Sequence, residues 1–176
     1  IFHSLTFVAF FLVVVTLYWR LPHRAQNVLL LVSSYVFYGW VHPWFLTLIF
    51  ASTVVDFWAG RGMATVPEKK KVYLSLSLVV NLGMLGFFKY YNFFAENVHT
   101  ALAALHFEVP LPALHVVLPV GISFYTFQEL SYTLAVYKGK IEARRDFLNF
   151  ATFVCFFPQL VAGPIERAAH LLPQVE

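Results

Sequence analysis

The sequence predicts an all-α polytopic membrane protein of about five to six transmembrane or re-entrant helices plus an interfacial helix. Three observations carry that prediction. First, 60% of the 176 residues are hydrophobic and only 12% are charged, with a mean hydropathy of +0.70. Soluble domains average about 45–50% apolar and about 25% charged residues. Second, aromatic residues reach 19%, with 20 Phe among them, a composition suited to bilayer interfaces and packed membrane helices. Third, ten of the twelve Lys and Arg residues are gathered in alternate connections between apolar runs, which is the signature of membrane topology rather than of a soluble fold.

The runs follow in order. A first span covers about Phe2 to Trp19 and stops at the polar stretch 20–27, RLPHRAQN. It lacks a basic leader and a small-residue cleavage site, so a retained span fits better than a signal peptide. A second span runs from about Val28 to Val41 and turns at His42–Pro43. A third, from about Trp44 to Ala59, leads into the basic stretch 61–71, RGMATVPEKKK. The fourth, Val72 to Phe88, is trailed by the aromatic cluster KYYNFF at 89–94. Glu96 to His115 is more polar, contains Pro110 and Pro112, and is expected to lie at the interface. The fifth span, Leu118 to Tyr137, is followed by the basic stretch 138–146, KGKIEARRD. A last apolar run, Phe147 to Ala162, ends at Gly163–Pro164. Several runs fall short of the roughly 20 residues needed to cross straight, so tilt, thinning or re-entrant geometry is expected for some.

Ten of the twelve Lys and Arg residues lie in stretches 20–27, 61–71 and 138–146. The positive-inside rule places these three in the cytoplasm and the N-terminus outside. It also accounts for a sequence pI near 9.0 with no need of nucleic acid as a partner. The remaining expected surroundings are the lipid bilayer.

The fifth span carries the most informative polar residues. At about 100° per residue, Gly121, Tyr125, Gln128 and Tyr132 share one stripe with Glu129 on its shoulder, while Val120, Phe127, Leu130 and Leu134 fall opposite. An ionisable group at bilayer depth costs at least a few kcal/mol if it meets lipid. Gln128 and Glu129 must therefore face protein or water, either lining a pathway or forming an interhelical pair. Asp56, near the cytoplasmic end of the third span, is expected to pair with a nearby Arg or cap a backbone group rather than to line a pathway. Asn81 is expected to act as interhelical glue.

In the closing run, Pro158 and Gln159 interrupt apolar sequence ahead of Gly163–Pro164, Glu166 and Arg167. Proline bends or breaks a helix, and in a membrane such backbone is tolerated only against protein or a water-filled cavity. Either a lined cavity or a kinked span ending in an interfacial ion pair would satisfy this pattern. Of the seven histidines, His3, His23, His42, His115 and His170 are solitary, and His99 and His106 stand two turns apart, too far for a metal-binding pair on adjacent turns. No metal and no bound cofactor are expected. The single Cys155 lies in an apolar run and is expected to be packing.

Four ordered motifs now stand out: SYVFYGWVHPWFLTLIFASTVVDFWAG at 34–60, FFKYYNFF at 87–94, LPVGISFYTFQELSY at 118–132 and FFPQLVAGPIER at 156–167. Together they resemble the membrane-bound O-acyltransferase family, in its bacterial alginate O-acetyltransferase-like branch. The resemblance departs at Ala135, where relatives commonly carry Asp before the Val–Tyr of that span. It implies a helical bundle in which residues 1–176 form the N-terminal portion of one integral-membrane acyltransferase domain. The implied activity is O-acyl transfer, from a cytoplasmic acyl (acetyl) thioester donor to a hydroxyl of an exported polysaccharide such as alginate. Periplasmic or extracellular acetyl-transfer proteins are the implied partners. The family's active-site histidine belongs to a later part of such chains, and no catalytic residue is expected within 1–176. Gln128, Glu129, Gln159, Glu166 and Arg167 are the residues expected to line a substrate tunnel. A transporter or channel subunit, or a non-catalytic membrane scaffold, are the competing readings.

Overall fold

In a computed structural model, residues 5–41, 43–104, 117–119, 121–162 and 168–175 are described, and every regular element among them is helical. The order is α1 (Leu5–Tyr18), α2 (His23–Val41), α3 (Pro43–Thr65), a short 3-10 turn (Pro67–Lys69), α4 (Lys70–Ala104), α5 (Ile122–Tyr137), α6 (Phe147–Cys155), α7 (Phe157–Ala162) and α8 (Ala168–Val175). Two of these, Pro43–Thr65 and the stretch Pro67–Leu102, are long and apolar enough to cross a bilayer. A broad apolar surface remains outside the packed core, including Val8, Leu12, Val32, Val36, Phe50, Val79, Leu82 and Phe127. Such a surface in water would be a severe liability, whereas lipid solvates it. The described residues thus form an all-helical structure with two helices of membrane-spanning length and a surface suited to lipid.

Helices α3, α4 and α5 pack against one another and form the centre; α2 lies along α3 and α6, and α8 closes on α5 and α6. The core joins Tyr38 of α2, Phe45, Ile49 and Phe57 of α3, Leu85 of α4, Tyr125 and Tyr132 of α5, and Phe150 and Phe153 of α6. Aromatic rings tie these elements together. The Tyr132 and Phe150 ring centroids are 4.5 Å apart, and Phe57 meets Phe147 edge-on at 5.2 Å. On the other side of the bundle, Phe157 of α7 packs on Phe37 of α2 at 5.4 Å and on Phe10 of α1 at 5.7 Å. With lipid outside, hydrophobicity gives helices little reason to associate, so close packing and interhelical hydrogen bonds must hold them.

Local chemistry sets where helices begin and end. Pro43 opens α3, where a missing N–H deprives the helix of nothing it would have used. Pro67 likewise opens the 3-10 turn. Asp146 accepts the Leu148 N–H at 2.9 Å and caps α6. Gly60 allows α3 and α5 to touch: a Cβ there would stand 2.6 Å from the Tyr132 hydroxyl.

Three expectations from sequence are corrected. The fifth span begins at Ile122, not Leu118, because residues 117–119 are not helical and Gly121 precedes the helix at φ +78°. That left-handed conformation is readily available only to glycine. The fourth span does not stop at Phe88. It continues as one helix through the aromatic cluster to Ala104, about 52 Å at 1.5 Å per residue and well beyond a hydrocarbon core of about 30 Å. Nothing within 89–104 breaks it, since no proline falls there. The remainder of the expected interfacial segment, 105–116, lies outside the described residues. The basic stretch 61–71 is also largely helical, with α3 persisting to Thr65 and α4 starting at Lys70.

Candidate functional site

The polar residues of the bundle gather in two places, both organised by α5. The first lies between α3, α4 and α5. Glu129 is wholly enclosed, with no exposed surface. Its Oε1 accepts hydrogen bonds from Ser52 Oγ at 3.0 Å and Thr53 Oγ1 at 3.1 Å, both on α3. One turn further along α3, Asp56 is equally buried, and its Oδ2 accepts from Asn81 Nδ2 of α4 at 2.6 Å. Asn81 also donates to the Ser77 carbonyl at 3.0 Å. Ser77 in turn reaches Thr133 of α5 at 3.1 Å, which closes a ring of side chains across three helices. The Asp56 and Glu129 carboxyl groups face each other at hydrogen-bonding range.

The second place is the break between α6 and α7. Phe156 adopts φ −53° and ψ 102°, which ends α6 and starts α7 afresh. A break in a membrane helix exposes backbone groups that lipid cannot satisfy. Here the chain supplies both partners. Gln128 Nε2 donates to the Phe153 carbonyl at 2.7 Å, and the Phe157 N–H donates to Ser34 Oγ of α2 at 3.2 Å. Pro158 then sits in the first turn of α7, where its absent N–H belongs to the set a helix leaves unpaired. Thr152 and Asn149 of α6 bind Asn27 of α2, by Thr152 Oγ1 to the Asn27 carbonyl at 3.3 Å and Asn27 Nδ2 to Asn149 Oδ1 at 2.9 Å. Ser131 of α5 accepts the Ala168 N–H at the start of α8 at 3.2 Å.

Sequence-predicted residues therefore fall as follows. Gln128 and Glu129 lie on adjacent faces of α5, Gln128 toward α6 and Glu129 toward α3, both buried among helices. Gln159 is buried in α7, just past the break. Glu166 and Arg167 lie outside the described residues. Asp56 meets Asn81 and Glu129 rather than the Arg or backbone partner expected for it. The nearest cation along α3, Arg61, is directed instead to the Arg145 carbonyl at 3.4 Å, with its guanidinium 5.9 Å from the Phe57 ring centroid. Ser34, Ser52 and Thr53 carry no sequence signal of their own; short hydroxylated residues are frequent in membrane helices, and only their partners distinguish them, Glu129 for Ser52 and Thr53 and the α6–α7 break for Ser34. His23, His99 and His170 are exposed, and no cluster of three or more metal-binding side chains exists among the described residues.

Comparison with known proteins gives this arrangement its context. The chain is 41% identical, over 99% of its length, to a probable alginate O-acetylase of Azotobacter vinelandii. It is similar to the alginate O-acetylases along that whole length. The corresponding Pseudomonas aeruginosa protein is 38% identical over 99% of the chain, and a peptidoglycan O-acetyltransferase of Helicobacter pylori is 33% identical over 89% of it. The matches cover 36%, 34% and 35% of those proteins, so the chain spans about a third of the length of the curated relatives it matches. The resemblance to membrane-bound O-acyltransferases carried by the four motifs is thus borne out. No family model matches the chain, and no solved structure does.

Proposed function

We propose that this chain is the N-terminal helical section of a membrane-embedded O-acetyltransferase that modifies an exported polysaccharide such as alginate. The observation that carries the reading is homology along 99% of the chain to proteins named as alginate O-acetylases, joined by a peptidoglycan O-acetyltransferase. The two names share one chemistry, transfer of acetyl to an oxygen of a sugar polymer. The donor is an acetyl thioester presented on the cytoplasmic side, and periplasmic or extracellular proteins carry the acetyl group onward to the polymer. In this reading the bundle crosses a bacterial inner membrane five or six times. The N-terminus lies outside, and stretches 20–27, 61–71 and 138–146 lie in the cytoplasm, where their cations are held by the positive-inside rule.

The mechanistic part of this section is positional. A histidine elsewhere in the enzyme acts as general base on the acceptor hydroxyl, and no residue of 1–176 is assigned that role. The residues described here fix the wall on which such a site depends. Gln128 and Ser34 hold the α6–α7 break in shape, and the α3–α4–α5 polar ring fixes the register of the three central helices. Gln159, just past the break, supplies a polar edge of the tunnel, and Glu166 and Arg167 are proposed for the same lining. Rigid positioning of this kind contributes through orientation, and displacements of about 1 Å cost about 100-fold in rate.

The test is acetyl ester content of the exported polysaccharide in cells lacking the gene that encodes this chain. Loss of acetyl ester, restored by the intact gene, is expected. Unchanged acetylation in the deletion strain would refute the reading.

A further inference from the structure

The polar ring between α3, α4 and α5 has an unresolved electrostatic feature. Of the four carboxylate oxygens on Asp56 and Glu129, two have donors: Glu129 Oε1 from Ser52 and Thr53, and Asp56 Oδ2 from Asn81. The other two, Asp56 Oδ1 and Glu129 Oε2, receive no N–H or O–H, and both are buried. The carboxyl groups nevertheless face each other at hydrogen-bonding range. Asn81, fully enclosed beside them, also has a carbonyl oxygen with no partner. Acceptors thus confront acceptors in a dry site. Two ionised carboxylates cannot stably share such a space, and a buried acceptor without a donor carries its full desolvation penalty.

Among the described residues, no Lys or Arg side chain acts on either carboxyl group. The titratable groups packed around the pair are Tyr35 and Tyr38 on α2, Tyr125 and Tyr132 on α5 and Cys155 on α6. These phenols and this thiol ordinarily carry no charge near neutral pH. On α3, Arg61 is engaged with the Arg145 carbonyl, and α4 offers the neutral Ser77 and Asn81. The 138–146 connection turns the Arg144 backbone N–H, at 2.9 Å, toward Tyr132 Oη.

We propose that Asp56 and Glu129 form a proton-binding site, with one proton held between the two carboxyl groups and a single negative charge left on the pair. The bound proton converts one carboxyl into the donor that the other lacks. It removes the repulsion without any additional residue. Calcium or magnesium fits poorly, because these ions take about six or more oxygen ligands. Among the described residues, Asp56, Glu129, Asn81 and the Tyr125 hydroxyl are the groups around the pair with unengaged oxygens, too few for such a shell, and no metal-binding cluster exists among the described residues. The remaining negative charge is distributed over hydrogen bonds from Ser52, Thr53 and Asn81. The site stands independently of the acetyl-transfer reading, and its test measures no acetyl transfer.

Infrared difference spectroscopy on the full-length polypeptide in lipid nanodiscs reads the proton directly. The wild type at neutral pH is expected to show a protonated-carboxyl C=O band that shifts when aspartate and glutamate are isotope-labelled. That band is expected to disappear in both E129Q and D56N, since either amide serves as the donor and leaves the other carboxyl ionised. Both amide variants are expected to retain folded yields within about twofold of wild type, whereas E129A falls about tenfold by leaving the buried Asp56 carboxyl without its partner. Absence of the band in the wild type, or its survival in both amide variants, would overturn the proposal. Should the variants fail to fold, wild-type stability compared in sodium, potassium and choline buffers decides. Indifference to the cation supports a proton, and stabilisation by one alkali ion overturns it in favour of a metal site.

Discussion

Replacing Gln128 with leucine isolates what the α6–α7 break needs. The substitution keeps side-chain volume roughly constant and removes one donor, Nε2, which lies 2.7 Å from the Phe153 carbonyl. In an unbroken helix that carbonyl would accept the N–H four residues on, but the Phe157 N–H is directed to Ser34 instead. Gln128→Leu therefore strands a buried carbonyl. Leaving a buried acceptor unsatisfied costs about 1–3 kcal/mol in soluble proteins. Interhelical hydrogen bonds in membranes average about 0.6 kcal/mol, with a maximum near 1.7. The carbonyl belongs to a rigid break that cannot easily find another partner, so a loss of about 1–2 kcal/mol is expected. Ser34→Ala removes the other half of the arrangement and is expected to cost about 1 kcal/mol. The two residues serve one backbone feature, so their effects should be non-additive, with a coupling of about 0.5 kcal/mol or more. Equilibrium unfolding of the full-length protein in mixed micelles measures all three quantities. Wild-type stability in Gln128→Leu, or strict additivity in the double variant, would refute this account of the break.

Other consequences follow from the same contacts. Gly60→Leu drives side-chain atoms into Tyr132, whose hydroxyl already lies 2.6 Å from a Cβ at that position, and should cost about 1–3 kcal/mol. Thermal unfolding checks it, and Tyr132→Phe should recover part of the loss only for the smaller Gly60→Ala. Asn81→Leu leaves Asp56 Oδ2 without its 2.6 Å donor and should lower the folded yield by roughly tenfold, read by size-exclusion chromatography in detergent. Cysteines introduced at Glu68 and Glu142, in a Cys155→Ala background, should be modified by membrane-impermeant reagents only from the cytoplasmic side. A cysteine at Val117 should react only from outside, and the reverse pattern would invert the proposed topology.

Much of α5 was legible from periodicity alone. Tyr125, Gln128, Glu129 and Tyr132 are buried, while Phe127 and Leu134 are 47% and 37% exposed, as a stripe turning by 100° per residue requires. Leu130 was assigned to the lipid side and is buried, at 6% exposure. Helices pack around more than half of α5, and a two-face division cannot register that. Partner identity was less accessible. Asp56 meets Asn81 twenty-five residues on and Glu129 farther still, pairings set by how α3, α4 and α5 stack rather than by local pattern. The break after Cys155 was foreshadowed by Pro158, but the backbone groups it frees are met by Gln128 and Ser34 from distant helices. The length of α4 was missed because aromatic residues read as a membrane interface, although nothing in them ends a helix.

The most direct measurement of the central claim uses membrane vesicles prepared from cells that carry the intact gene. A labelled acetyl thioester is supplied on the cytoplasmic face and unacetylated polysaccharide on the opposite face. Label is expected in alkali-labile ester on the polymer in wild-type vesicles, and only at background in vesicles from the deletion strain. Equal labelling of the polymer in both would contradict the assignment of this chain to O-acetyl transfer.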